Sequence, residues 1–461
     1  LLLYSTIYSL IYSAMSTVEK ILRNGPASSR ELTAALGISQ PTLSRRIRDL
    51  ARSVLVIDKG RSTRYALRRE VAGESYFPLY QIDKLGKAHL FATLYSLYPA
   101  DSCAVFDEQS GEWQLYDGLP WYLNDLRPVG FLGRAWGKAV ARRLKLPEDV
   151  LQWNEEQRLV ALCHYGEDMS GDLLPGAESY QRWLTRAAEI PVPMAGKAKY
   201  YATLSARALA GELIGSSAGG EQPKFTAYAE LSGNRRSHVL VKFSAVPDNS
   251  IAQRWSDLLI AESLALQVVA EAGLCSAPTK VLFGDNQQCF LEIERFDRIG
   301  EHGRVALVSL EALDAEFSGS GGANWVTAAE KLLQQGIIDH QTWKTIGLYW
   351  AFGRLIANSD MHQGNLSFLR TEQWPMVLAP LYDMLPMAFA PANSGNMRET
   401  AVVISLGNEF NGPIWRQAEL MAVEFWQRTA QHPQISESFR AIAAQMLVQL
   451  QALNDRIQRL A

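Results

Sequence analysis

Three oxygen-bearing side chains constrain this 461-residue chain more than any other feature. Asp360 and Asn365 lie in the polar stretch Asn358–Phe368, separated by four residues, and Asp383 follows an apolar run, Met376–Leu381, that reads as a strand. A chain that leaves a polar loop, crosses an apolar strand and turns polar again brings its far end back beside its start, so all three side chains can face one point. Transfer of a phosphoryl group needs a carboxylate to orient the attacking hydroxyl, and Mg²⁺ takes oxygen ligands. The plain alternative, a polar helix C-cap followed by a turn, leaves the order of the three as coincidence.

Three earlier features suit the same chemistry. Ile214–Phe225 is small and Gly-rich and then polar, with Ser216, Ser217, Gly219, Gly220, Gln222 and Lys224. Small residues let backbone amides approach an anion, although the stretch lacks the GK[ST] ending of a Walker loop and also reads as an ordinary turn. Lys242 sits inside the apolar strand His238–Ser244. It is either an outward, solvated residue or a phosphate-holding lysine that needs a carboxylate from the next helix, Ala252–Ala272, where Glu262 is the first choice and Asp257 the second. Cys289–Arg298 is an apolar strand that turns polar at its end, and Glu294–Phe296 is the segment that would offer backbone groups to adenine. The Asp-x4-Asn spacing of Asp360 and Asn365 is that of a protein-kinase catalytic loop.

The N-terminal end has a different character. Residues 15–70 hold twelve Lys and Arg against five Asp and Glu, a net of +7 in a chain whose total is −3. Such a split points to a nucleic-acid-binding end on an acidic body. Val18, Ile21 and Leu22 have helical spacing, Ser28 or Ser29 caps a second helix with Glu31 in its first turn, and Gly37 ends it. Gln40–Pro41–Thr42 opens a third helix, in which Leu43, Ile47 and Leu50 share one face. Pro costs nothing at that position, because the first-turn amides have no partner within the helix. Two strand-like segments, Val54–Ile57 and Thr63–Leu67, flank the turn Asp58–Arg61. The segment resembles the winged helix-turn-helix family. That resemblance implies that Gln40, Thr42, Ser44 and Arg45 meet base edges while Arg46, Arg48, Lys59, Arg61 and Arg64 neutralise phosphates of duplex DNA. Similar three-helix units also serve as protein-interaction modules.

The remainder bounds the class of protein. With 48% hydrophobic and 20% charged residues, collagen-like and disordered readings fail. The four cysteines form no CxxC pair and read as free thiols of a cytoplasmic protein. Residues 1–14 are apolar and uncharged, yet shorter than the roughly 20 residues a membrane span needs, and read as an upstream leader. Between residues 71 and 200 no motif names a chemistry. Tyr116–Arg134 reads as a packed loop lying on something else, Tyr165–Gly176 as a strand pair, and Glu178–Ala188 as a helix.

Taken together, Gly215–Phe225, Val239–Ser244, Glu292–Arg298, Asn358–Phe368 and Tyr382–Pro386 resemble the HipA-type serine/threonine kinase toxins over roughly residues 80–455. The resemblance implies an α+β, two-lobed protein-kinase-like fold, with a mixed N-lobe at 201–298 and a mainly helical C-lobe at 299–461. A subdomain at 71–200 and the small winged helix-turn-helix domain at 15–70 precede them. It implies use of ATP and Mg²⁺ to phosphorylate a serine on a protein, the family's best-known target being an aminoacyl-tRNA synthetase, with growth arrest as the result. By matching motifs, Asp360 orients the target hydroxyl and Asn365 and Asp383 hold the metal. Ser217, Gly219, Gly220, Gln222, Lys224, Lys242, Glu294, Phe296 and His362 bind the nucleotide, and Ser217, or Ser216 beside it, is the self-phosphorylated serine. Two departures stand out. The family usually takes DNA affinity from a separate antitoxin protein, whereas this chain carries its own basic domain, and Val305–Trp325 differs from the polar segment usual near the target site. The other function class for such a chain is a DNA-binding transcriptional regulator with a catalytically weak kinase-like domain.

Overall fold

A computed structural model describes residues 17–58, 63–212, 220–371, 374–392, 396–397, 402–407 and 412–460. The leader at 1–14, Lys59, Arg61, Ser216, Ser217 and Gly219 lie outside the described residues.

The N-terminal segment forms α1 (Thr17–Leu22), β1 (Ala27–Ser28), α2 (Ser29–Leu36), α3 (Gln40–Asp49), β2 (Val54–Ile57) and β3 (Arg64–Leu67). Ser28 and Glu31 build a capping box at the start of α2, and Gly37 ends that helix at φ 63°. A residue with a Cβ would resist that left-handed turn. Val18, Leu22, Leu32, Leu43 and Ile47 close a small core over the antiparallel sheet β1-β3-β2. Gln40, Ser44, Arg45, Arg46, Arg48 and Arg64 are exposed, and Thr42 is half-buried with its hydroxyl 3.0 Å from that of Ser39.

This unit is fused to the next one. The Tyr98 amide donates to Leu67 O at 3.0 Å and the Arg69 amide to Ser96 O at 2.9 Å, while Leu55, Ile57 and Ala66 share a buried cluster with Leu97 and Ala104. The second unit is a five-stranded antiparallel sheet, β7-β6-β5-β4-β8, built from β4 (Tyr76–Ile82), β5 (Ala88–Leu97), β6 (Ser102–Asp107), β7 (Trp113–Asp117) and β8 (Leu173–Pro175). It carries α4 (Gly130–Leu144), α5 (Glu155–Tyr165) and α6 (Ala177–Thr185). The expected strand pair at Tyr165–Gly176 is only the single edge strand β8, and the carbonyls of Glu167, Met169 and Gly171 accept instead from Arg304 and Arg298 of another unit. The helix expected to reach Ala188 ends at Thr185, and Tyr116–Arg134 contains a 3₁₀ turn, Trp121–Leu126, and the start of α4.

The rest of the chain is two-lobed and α+β. The first lobe is the antiparallel sheet β11-β12-β10-β9, from β9 (Lys224–Glu230), β10 (Arg236–Phe243), β11 (Thr279–Phe283) and β12 (Cys289–Glu294). It is covered by α7 (Lys197–Leu209) and α8 (Ser250–Glu271). A boundary at residue 200 falls inside α7, whose first residue, Lys197, is buried and ion-paired with Glu292 of β12 at 2.8 Å. The second lobe holds helices α9 (Leu310–Leu313), α10 (Trp325–Gln334), α11 (His340–Leu355), α12 (Gly412–Gln431) and α13 (Glu437–Gln458). Asp257 accepts from the amide of Ser436 at 2.8 Å and from its hydroxyl, so it anchors the start of α13 and is not the partner of Lys242.

A buried charge cluster joins the five-stranded unit to the two lobes. Asp297 accepts from Arg295 at 2.7 and 2.9 Å, from Arg298 at 2.7 Å and from the Gly171 amide at 3.0 Å. Arg298 also donates to the carbonyls of Met169 and Gly171 at 2.6 and 3.0 Å. Burial alone would raise the Asp297 carboxyl, but Arg295 and Arg298 outweigh it and hold the group well below the usual carboxylate range. Removing the carboxylate in Asp297→Ala leaves two guanidinium groups buried without it. The expected cost is about 3–5 kcal/mol in urea unfolding. Because the folded-state value is depressed, this contribution is complete above pH ~4 and is lost progressively in stronger acid, so the variant should show a smaller acid-induced loss of stability than the parent.

Candidate active site

Strands β9 and β10 pair so that Lys224 stands directly opposite Lys242. Opposed residues of an antiparallel pair point to one face, and two like charges there repel. Both lysines are buried, so the repulsion is relieved only if carboxylates arrive from elsewhere. The next helix, α8, supplies Glu262, whose two oxygens accept from Lys242 Nζ at 2.7 and 2.8 Å. Asp383, from the second lobe, accepts a short hydrogen bond from the same ammonium. Four groups of balanced charge thus meet where the two lobes touch.

Their titration follows from this geometry. Burial pushes the Lys224 ammonium down to about 8, with Asp383 opposing the fall and Lys242 adding to it. Burial also works against Lys242, yet Asp383 and Glu262 outweigh it and hold its ammonium above the ordinary lysine value. Asp383 would be raised by burial, but Lys242 and Lys224 keep its carboxyl below the usual range. Its backbone stands at φ 56°, a left-handed conformation uncommon for a residue with a Cβ. Such strain persists only where surrounding contacts over-determine it.

The catalytic-loop stretch begins just after α11. Asn358 Oδ1 accepts from the Asp360 amide at 3.0 Å, and Asn365 Nδ2 donates to Asp360 O at 2.8 Å, so the two asparagines brace the turn that carries Asp360. Tyr382 donates to Gly364 O at 2.8 Å, tying this loop to the residue before Asp383. Asp360 is exposed. Partial loss of water at its position pushes its carboxyl up, with His362 opposing and Asp383 reinforcing the shift. Asn365 is buried, and its amide nitrogen is engaged, which leaves its oxygen as the atom suited to a cation.

A cleft of about 540 Å³ brings together Gly220, Lys224, Lys242, Glu294, Phe296, His362, Asn365 and Asp383. Asp360 and the half-buried Gln222 are not on its walls. The Glu294 side chain pairs with Arg235 at 2.9 Å, the Glu294 amide donates to Pro278 O at 2.9 Å, and the Arg295 amide to His238 O at 2.9 Å. Those two amides are therefore engaged and do not serve a base, which narrows the expected adenine segment toward Phe296, whose ring packs on Tyr382 with centroids 5.8 Å apart. Among the described residues no group of three or more His, Cys, Asp or Glu could hold a metal. Asn365 and Asp383 both line the cleft, and their side-chain oxygens are donors of the kind that suits Mg²⁺, an ion that keeps several waters and takes its other ligands from substrate phosphates.

The sequence did not disclose one wall of this cleft. Asn124, Asp125, Arg127, Val129, Leu151 and Arg158 come from the five-stranded unit. The Asp125 carboxylate, on an exposed residue, accepts from the amide and the hydroxyl of Ser309, both at 2.6 Å. The Pro-, Gly- and aromatic-rich character of Tyr116–Arg134 signalled a packed surface there but not which surface it meets.

Lys242→Met should expose the electrostatics of the centre. Without the ammonium, burial and the Asp383 carboxylate both drive Glu262 upward, above its unfolded-state value. A group raised on folding contributes stability below its unfolded pKa and loses it as pH climbs through the folded one. The variant should therefore unfold at a higher temperature at pH 5.5 than at pH 8, relative to the parent at the same two values. An equal shift at both would show that Lys242 does not neutralise Glu262.

Comparison with known proteins gives this geometry a lineage. Residues 216–453 match the HipA-like C-terminal domain, and residues 73–184 match the middle domain of YjjJ-like toxins. Toxin YjjJ of Escherichia coli (strain K12) is 45% identical over 447 residues, which is 97% of this chain and 100% of that protein. Among solved structures, HipA of Shewanella oneidensis MR-1, determined with HipB and its operator DNA, gives a TM-score of 0.47 at 15% identity over 82% of this chain and 97% of that one. The Helicobacter pylori proinflammatory kinase CtkA gives 0.36 at 15% identity, over 53% and 94%. With a domain match across half of the chain and a full-length relative at this identity, the chain belongs to the HipA-like toxin family.

Proposed function

We propose that this protein is an ATP-dependent serine/threonine protein kinase that arrests growth by phosphorylating a cellular protein, and that its N-terminal domain binds duplex DNA for autoregulation. The observation that carries the kinase reading is the buried Lys242, held between Glu262 of the adjoining helix and Asp383 of the other lobe. That arrangement suits a lysine whose charge must be kept in place for phosphates. Bound Mg·ATP would supply the phosphoryl group. Lys242 and Lys224 would hold phosphate oxygens, with the Gly220 backbone alongside, and Asn365 and Asp383 would keep the metal. Asp360 would orient the serine hydroxyl and take its proton, a role helped by a carboxyl raised above the usual range. An aminoacyl-tRNA synthetase is the target class carried over from the resemblance, and Ser217 or Ser216 is the residue for self-modification.

Asp360→Asn and Asp383→Asn should each lower phosphoryl transfer by about 10²-fold or more while unfolding as cooperatively as the parent. The assay is labelled ATP added to a cell lysate, followed by identification of the labelled protein. If the parent transfers no phosphate yet binds an operator tightly, the chain is a transcriptional regulator with a catalytically weak kinase-like domain.

The DNA reading is supported by the exposed row Ser44, Arg45, Arg46 and Arg48 on α3, whose buried side, Leu43 and Ile47, fixes which way that row faces. If about five basic residues neutralise phosphates, log affinity against log salt should have a slope of about −4.5. Joint replacement of Arg46 and Arg48 by Ala should reduce the slope by about 2 and weaken binding to all sequences alike. An unchanged slope in a fluorescence-anisotropy titration would place the phosphate contacts elsewhere.

A further inference from the structure

The nucleotide cleft is not framed by the two lobes alone. Helix α4 of the five-stranded unit begins at Gly130, and the amide of its second residue, Phe131, donates to Gly220 O at 2.9 Å. The first amides of a helix have no partner inside it, so this donor needs an external acceptor, and it finds one in the backbone beside Lys224. The approach is close enough to dictate the residue. A Cβ on Gly130 would lie 2.3 Å from Gly220 O and 2.7 Å from its carbonyl carbon and nitrogen, and Gly130 itself stands at φ +68°. Gly220 is under the same constraint from its other side: it stands at φ +88°, and a Cβ there would lie 2.6 Å from Lys224 Nζ. Two glycines in series therefore connect α4 to the Lys224 ammonium, which faces Lys242 across the strand pair. A second link, the ion pair of Arg134 with Glu221 at 2.5 Å, is exposed on both sides and adds little energy.

We propose that Gly130 and Phe131 are positioning residues of the nucleotide site: they fix Gly220 against the Lys224 ammonium, so that the unit at 73–184 is a working part of the ATP cleft and not an appendage to it. The nucleotide half of this inference rests on the kinase reading. The positioning half does not.

Gly130→Ala is the test, with Gly111→Ala as control. Gly111 lies in the same unit at φ +72°, and a Cβ there would have no atom beyond its chain neighbours within 4 Å, so it reports the cost of a left-handed alanine without the contact to Gly220. On the nucleotide-free full chain, amide hydrogen exchange over residues 220–226 should quicken about tenfold in Gly130→Ala and stay at the parental rate in the control. In steady-state kinetics the KM for ATP should rise about tenfold or more, with kcat within about threefold of the parent, since a displaced phosphate-binding group weakens nucleotide capture before it touches the chemistry. Should Gly130→Ala fail to fold, Gly130→Asn keeps the Cβ in a residue that tolerates left-handed backbone and is read the same way. Exchange and KM equal to those of the control would overturn the proposal. A parent protein that neither binds nor uses ATP would overturn the kinase reading instead, and the exchange measurement would still decide whether α4 positions Gly220.

Discussion

Two lysines facing each other from neighbouring strands cannot remain buried by themselves. Lys224 and Lys242 are in that position, and the arrangement of both lobes answers it. Glu262 comes from the helix packed on the sheet, and Asp383 comes from the opposite lobe, 141 residues further along the chain from Lys242. A buried ammonium with one carboxylate removed is far costlier than an intact pair, because the remaining charge keeps its desolvation penalty and loses its compensation. The closed relation of the lobes is therefore part of what makes the sheet possible, and the polar centre of the cleft is also the point where the halves are held.

A second buried charge cluster does comparable work at the other junction. Asp297 follows directly on the cleft-lining segment Glu294–Phe296, and its neighbour Arg298 donates to the carbonyls of Gly171 and Met169. Ser309, the N-cap of α9, is held by Asp125 from the same five-stranded unit. Local loss of water raises the Asp125 carboxyl, while the two Ser309 donors pull it down. Each contact fixes backbone on one side and a charged or polar side chain on the other, so sliding one unit over the other would strand polar groups away from water.

What could be seen in the sequence was local. Asp360, Asn365 and Asp383 announced themselves because a polar loop, an apolar strand and a second polar turn fall within 24 residues. Lys242 and Glu262 could be paired on paper because a strand followed by a helix leaves few other choices. The wall contributed by the five-stranded unit could not, since Asp125 and Ser309 are 184 positions apart and nothing periodic marks either. Tyr165–Gly176 has a strand-like composition, but Glu167, Met169 and Gly171 spend backbone hydrogen bonds on Arg304, Arg298 and Asp297, and only β8 joins the sheet as a strand. Likewise, no pattern in Glu294–Phe296 tells that its first two amides are taken up by Pro278 and His238.

The fusion between the basic N-terminal unit and the five-stranded sheet has a mechanical side. Leu67 passes into that sheet's neighbourhood without a spacer, held by the Tyr98 amide and a shared apolar cluster, so the two units lack a joint about which they could swivel independently. A surface that seats α3 would thereby set the compass bearing of the whole molecule. The direction in which the cleft opens to an incoming protein, and the side left clear for a second copy, would be chosen by the same docking event.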